Sequence, residues 1–227
     1  MNSVFWALVR KDLYLLRGFT IAMLLGGVVG IGIIGMGKVV GMPGAALAVG
    51  GILFLTANVA GGIFLAMYTL MSDRKELTRL FALSLPISGV RYDQAKLLGG
   101  YLSFLIPWVL LTVLALTPSL LMPGGFRGMV VYALLIQGFV LALFSVVVGV
   151  LFVVTSEAMS GLMILVVNIM FSLFMVTINQ PAVTEPMKSA RILWTPFALW
   201  MLAGELLVLC LSVAFTMSVV ARRRDHV

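Results

Sequence analysis

Six long runs of apolar residues constrain the fold of this chain more than any other feature of its sequence. They cover residues 19–40, 45–70, 97–121, 129–154, 161–178 and 197–220. Each is long enough to cross the hydrocarbon core of a bilayer, which takes about 20 helical residues. Runs of this length form helices in lipid, because the backbone there must satisfy its own hydrogen bonds. The sequence therefore predicts an all-α integral membrane protein, with residues 1–227 forming a single transmembrane domain.

Charge is scarce, and its placement predicts the orientation of the spans. Only 10% of the residues are charged, whereas a soluble domain carries about a quarter. Lys and Arg concentrate on the cytoplasmic side of membrane proteins. With the N-terminus in the cytoplasm, eleven of the fifteen basic residues fall on that side: Arg10, Lys11, Arg17, Arg74, Lys75, Arg79, Arg91, Lys96, Arg222, Arg223 and Arg224. The outer side receives Lys38, Arg127, Lys188 and Arg191. We therefore expect both termini in the cytoplasm (N-in/C-in), and we attribute the net charge of +7 to topology, not to nucleic-acid binding.

Residues 2–17 have an amphipathic pattern. As a helix they place Trp6 on one side with Phe5, Val9, Leu13 and Leu16, while Arg10, Lys11, Tyr14 and Arg17 lie on or toward the other. This pattern is typical of a helix that lies in the membrane interface, with Trp6 at headgroup level. A solvated N-terminal extension is the alternative, although free tails seldom carry so many large apolar residues.

The longest polar segment, residues 71–96, separates the second and third apolar runs and is called the polar loop below. It predicts two short helices around a turn. Asp73 would cap the first helix with Glu76 as its capping-box partner, Pro86 would end it, and Ser88 would cap the second. Within the first helix one face carries Leu77, Leu80 and Phe81, and the other carries Lys75, Glu76 and Arg79. The charge pattern places this loop in the cytoplasm, where a partner can reach it.

Glycine is dense in the first apolar run. The pairs Gly26/Gly30 and Gly37/Gly41 have the four-residue spacing that lets two helices approach closely. Such spacing fits packing inside one bundle or a seam between two copies, and we favour packing inside the bundle.

Polar residues inside the spans are few: Asn58, Gln137, Asn168 and Glu205. Glu205 stands out, because a carboxylate within a span is costly and usually faces a cavity or a partner. Its depth near the outer side predicts pairing with Arg191 or Lys188. Two roles remain open for Glu205, a packing residue that is protonated or ion-paired and a residue of a transport pathway.

The residue patterns of covalent and metal catalysis are missing from the sequence. His226 is the one histidine, so an H-E-x-x-H zinc site cannot form. Neither the phosphate-binding pattern G-x-x-x-x-G-K-[ST] nor the G-x-S-x-G nucleophile elbow occurs. A single cysteine, Cys210, rules out an intrachain disulfide. We expect no enzymatic activity, no catalytic residues and no metal or cofactor bound by this chain.

The order of short motifs resembles that of the permease subunits of type-two ATP-binding-cassette (ABC) exporters. Arg10-Lys11-Asp12-Leu13 is similar to an N-terminal "x-K-D-L" element of that family. The polar loop matches further family elements with Asp73-Arg74-Lys75-Glu76, Leu83-Ser84-Leu85-Pro86-Ile87-Ser88 and Lys96-Leu97-Leu98. Six spans with both ends inside agree as well, so the resemblance covers the whole chain. Gly89 departs from the pattern, since a basic residue is common there.

This resemblance implies a transport mechanism. The polar loop would contain the coupling helix that docks on a cytoplasmic ABC ATPase subunit, and ATP and Mg²⁺ would bind to that ATPase. The implied docking residues are Asp73, Lys75, Glu76, Leu77, Arg79, Leu80, Phe81, Ser84 and Pro86, with Glu157 in the short turn 155–160. A second permease subunit, identical or different, would complete a pathway that exports a peptide or an amphipathic or apolar compound across a bacterial plasma (inner) membrane. The alternative is a non-transport membrane protein such as an immunity or assembly factor.

Overall fold

The structure is a computed structural model that describes residues 2–37, 39–75, 88–121, 127–153 and 157–222. Within these ranges it is all-helical: α1 Asn2–Met36, α2 Pro43–Lys75, α3 Gly89–Leu121, α4 Met129–Val153, α5 Glu157–Ile178, α6 Pro181–Met187 and α7 Pro196–Arg222. Every one of these helices except α6 is long and apolar enough to cross a membrane. The six predicted spans are thus confirmed as six apolar helices, and the end of the bundle that carries the polar loop is called the loop end below.

Helix α1 packs antiparallel against α2 through glycines. A Cβ atom added at Gly26 would lie 2.9 Å from the Cβ of Ala57, and one added at Gly30 would lie 2.7 Å from the carbonyl oxygen of Gly50. The backbones of the two helices are therefore nearly in contact, as the predicted packing of Gly26/Gly30 inside the bundle requires. Gly41 serves a different purpose, because it adopts φ +75° in the turn that leads to α2, a conformation that glycine adopts without strain.

Helix α4 occupies the centre of the bundle and is the most deeply buried of the long helices. It contacts α2, α3, α5, α6 and α7. Glycine again permits close packing, since a Cβ atom at Gly149 would lie 3.0 Å from the hydroxyl oxygen of Thr216, and one at Gly138 would overlap the carboxylate of Glu205. Gly138 contacts Glu205 and Gly149 contacts Thr216, so the two contacts follow in the same order and at the same residue spacing along α4 and α7. The two helices therefore run parallel and in register.

Helix α1 is continuous from Asn2 to Met36, without a break between the predicted interfacial segment 2–17 and the predicted span 19–40. Its 35 residues extend over about 52 Å, well beyond the roughly 30 Å of a bilayer core. Trp6 is exposed, and the guanidinium carbon of Arg17 lies 4.0 Å from the ring centroid of Tyr14. An interfacial position for residues 2–17 stays a prediction.

Helices α2 and α3 extend into the polar loop from both sides. The prediction that Asp73 caps a new helix is wrong, because α2 continues through Asp73 to Lys75. Helix α3 begins at Gly89, eight residues before the predicted start of the third span at residue 97. Ser88 directly precedes this helix, and its backbone carbonyl oxygen accepts a hydrogen bond from the Tyr92 N–H at 3.1 Å. Helix α3 also passes through Pro107 and Pro118 as one helix.

The connection that follows α5 forms the short helix α6, which packs against α4 and α7. The Thr195 hydroxyl donates to the Ala182 carbonyl at 3.0 Å and accepts from the Ala198 N–H at 3.2 Å. One side chain thereby caps α7 and ties it to α6. The Gly128 N–H donates to the Ser189 carbonyl at 3.1 Å, which joins this connection to the start of α4.

Large apolar side chains cover the outer faces of α1, α5 and α7, including Leu25, Leu173 and Trp200, the last of which is 78% exposed. Soluble proteins rarely leave contiguous apolar patches of this extent in water. The lipid bilayer is the solvent that these faces imply.

Candidate functional site

The structure describes only the residues at the two ends of the predicted docking segment, together with the start of α5. Asp73 and Lys75 lie in the last turn of α2, and Glu157 is the first residue of α5. The other seven predicted docking residues all lie outside the described residues: Glu76, Leu77, Arg79, Leu80, Phe81, Ser84 and Pro86. The end of α2 and the start of α3 therefore define where this segment is anchored.

A buried ion pair lies at the loop end, within two helical turns of those anchors. The Lys96 Nζ donates to the Asp12 Oδ1 at 3.4 Å and to the Thr69 carbonyl oxygen at 3.3 Å. The side chains of Lys96 and Asp12 are only 10% and 5% exposed. Since Asp12 belongs to α1, Thr69 to α2 and Lys96 to α3, the pair joins three helices.

Small residues bring the three helices close enough for these bonds. A Cβ atom at Gly99 would lie 3.0 Å from the Cβ of Asp12, and one at Gly100 would lie 3.2 Å from the Cγ2 of Thr69. Further along α3, the Thr20 hydroxyl donates to the Ser103 carbonyl at 3.3 Å and forms a second link between α1 and α3. Larger residues at Gly99 or Gly100 would push α3 away from its neighbours.

This pair was not expected from the sequence, because the pattern of residues predicts an interfacial helix at Asp12 and a loop at Lys96. A signal was present in the helical period of α1. Val9, Asp12 and Leu16 follow one another at the spacing of a single helix face, and all three are buried. Arg10, Lys11 and Arg17 are exposed as the pattern predicted.

The carboxylate of Glu205 lies against the backbone of α4 at Gly138. Both carboxylate oxygens are buried, and neither has a hydrogen-bond partner among the residues that the structure describes. The predicted pairing with Arg191 or Lys188 is therefore wrong, although both of those residues are described. The Glu205 carboxylate instead packs against α4, where Gly138 has no side chain and leaves room for it. It does not extend to the connection that carries Lys188 and Arg191.

Asn58 and Gln137 are buried in the interior of the bundle. The Asn58 Nδ2 donates to the Phe54 carbonyl at 2.8 Å, while its Oδ1 and both amide atoms of Gln137 lack a partner within the described part of the chain. The Trp108 Nε1–H donates to the backbone carbonyl oxygen of Gln137 at 3.0 Å. Asn58 borders a cavity of about 10 Å³ between α2, α3 and α4, roughly the space of one water molecule.

Asn168 lies apart from the other intramembrane polar residues. It is exposed on the surface of α5, and its Nδ2 donates to the Ile164 carbonyl of its own helix at 2.9 Å. The four predicted pathway residues are therefore not gathered at one site. Asn58 and Gln137 face the interior, Glu205 lies between α4 and α7, and Asn168 faces outward.

In the described ranges no group of three or more His, Cys, Asp or Glu side chains could hold a metal ion. Cys210 is exposed and unpaired by any disulfide. Comparison of the chain with known protein families, with characterised proteins and with solved structures gives no match.

Proposed function

We propose that this protein is the permease subunit of an ABC exporter, which spans the membrane and couples to a separate cytoplasmic ATPase. The observation that carries the proposal is the single long polar segment between two apolar helices. That segment has the order of acidic, basic and Leu-Pro-Ser elements described above, and it is anchored by α2 at Lys75 and by α3 at Gly89. The six long apolar helices of the described chain fit the membrane-spanning part of such a transporter.

In this proposal the coupling surface is an amphipathic face of the polar loop. Leu77, Leu80 and Phe81 insert into a groove on the ATPase, and Lys75 and Arg79 form part of the polar rim. Interfaces concentrate their free energy in a few buried apolar or aromatic anchors, and Phe81 is the largest side chain on this face. A second permease subunit, identical or different, completes the pathway, and the cargo is a peptide or an amphipathic or apolar compound.

The decisive experiment is co-purification with the ATPase in mild detergent, comparing the wild type with Phe81→Asp. Loss of such an anchor costs about 2 kcal/mol, roughly thirtyfold in affinity, and the buried unpaired charge adds to that loss. We expect Phe81→Asp to leave the membrane subunit abundant and folded, to release the ATPase and to stop transport-coupled ATP hydrolysis. Ala82→Asp is the matched control, because position 82 falls on the opposite face of the same predicted helix.

Other outcomes would contradict the proposal. A wild-type protein that purifies without any ATPase would favour a non-transport membrane protein. Degradation of Phe81→Asp would mean that this face packs against the subunit itself. A stable Phe81→Asp protein that still binds the ATPase and transports would remove the docking role from this face altogether.

A further inference from the structure

Two charged residues that lie far apart in the sequence form one buried pair at the loop end. Asp12 and Lys96 meet at 3.4 Å, and Lys96 also binds the carbonyl oxygen of Thr69. We infer that this contact, called the three-helix clamp below, transmits displacement of the polar loop to helix α1. The inference rests on the proposed function and assigns Asp12 and Lys96 a positioning role, in which they contact neither ATP nor the cargo.

The clamp lies at the loop end, close to both ends of the segment 76–87. The segment 76–87 leaves α2 at Lys75 and is followed by α3 from Gly89. Thr69 and Lys96 lie about two helical turns, roughly 10 Å, from those two ends. A displacement of the loop therefore reaches the clamp through two short, stiff pieces of helix.

Helix α1 is suited to carry this displacement from the loop end to the middle of the bundle. It is a single helix from Asn2 to Met36, so Asp12 is rigidly connected to Gly26 and Gly30. Those glycines lie almost in backbone contact with Ala57 and Gly50 of α2. A shift of α1 at the clamp must therefore alter its crossing with α2 in the middle of the bundle.

The chemistry of the clamp is also informative. Removing two charges from water is costly, and well-packed apolar residues of similar volume often stabilise a fold as much as a buried ion pair does. An ion pair instead provides directional bonds that can be exchanged as helices slide. Lys96 and Thr69 border a cavity of about 10 Å³, which gives the ammonium group space to move or to bind one water molecule.

The test replaces both charges together in the purified transporter complex, reconstituted in lipid nanodiscs for hydrolysis and in vesicles for transport. The variants are Asp12→Leu/Lys96→Met, which replaces both charged groups by apolar side chains, and Asp12→Asn/Lys96→Gln, which removes the charges but keeps polar atoms. Lys11→Met is the control, since Lys11 is exposed beside Asp12. Subunit abundance, melting temperature, ATPase binding, basal ATP hydrolysis and transport per ATP are measured.

We expect at least one double variant to match the wild type in abundance, melting temperature, ATPase binding and basal hydrolysis, while its transport per ATP falls at least tenfold. Lys11→Met should transport normally. The inference is overturned if a stable double variant transports as the wild type does, because the pair then only packs. It is equally overturned if both double variants are destabilised, because the pair then serves the fold. A wild type that binds no ATPase defeats the proposed function itself, before any variant is compared.

Discussion

The buried side chain of Glu205 lowers the folding stability of the bundle. Its carboxylate is buried against Gly138 without a hydrogen-bond partner in the described part of the chain. A buried polar group in that situation costs about 1–3 kcal/mol of folding free energy. A leucine at this position would pack without that loss of folding free energy. The presence of a carboxylate is therefore consistent with a role in transport.

We expect Glu205→Leu to raise the free energy of unfolding of the isolated subunit by about 1–3 kcal/mol, because no hydrogen bond is lost and an unpaired group is removed. Glu205→Gln, which keeps the shape and a polar group, is the matched variant and should stay close to the wild type. Unfolding in mixed detergent micelles measures both, and transport assays decide the role. Wild-type transport by both variants would make Glu205 a packing residue, and a less stable Glu205→Leu protein would contradict the structural assignment.

At the scale of helices, the crossing of α1 and α2 depends on glycines at defined positions. The backbone of Gly50 lies where a side chain at Gly30 would project, whereas nothing lies within 4 Å of a Cβ atom at Gly32. Both glycines belong to the same helix and the same apolar run, so they form a natural pair for comparison.

We expect Gly30→Ala to lower the free energy of unfolding by about 1–3 kcal/mol, because the added methyl group forces the two backbones apart. Gly32→Ala should be neutral or stabilising by up to about 1 kcal/mol, since alanine favours the helix and meets no neighbour. Thermal unfolding of the two purified variants in one detergent makes the comparison. Equal melting temperatures would show that the α1–α2 crossing is looser than the structure indicates.

The sequence predicted the helices better than it predicted their contacts. Apolar length was enough to identify six spans, because lipid leaves the backbone few alternatives to a helix. The end of α2 was misjudged because Asp73 and Glu76 have the spacing of a capping box, a local pattern that a longer helix can also contain. The burial of Asp12 was predictable from the helical spacing of α1, but its pairing with Lys96 was not, because the two residues are 84 positions apart and only the packing of α1 on α3 brings them together.

For the whole molecule, the distribution of basic residues gives a testable orientation. In a Cys210→Ala background, single cysteines at Gly124 and Ser189 should react with a membrane-impermeant maleimide added to intact cells. Cysteines at Ser84 and Ser160 should react only after permeabilisation, because eleven of the fifteen Lys and Arg residues fall on the side predicted to be cytoplasmic. Labelling of Ser84→Cys in intact cells would reverse the orientation and remove the docking proposal with it.

The parallel, in-register packing of α7 on α4 has a consequence for how the protein is made. Helices α1 to α3 contact one another and emerge first from the ribosome, so their packing can begin while translation continues. Gly138 and Gly149 of α4 then await α7, which is synthesised later. Until α7 inserts, the groove formed by these glycines faces lipid or the insertion machinery. A nascent chain truncated before Pro196 would keep that groove open, and we expect membrane quality control to recognise such a bundle, which lacks α7.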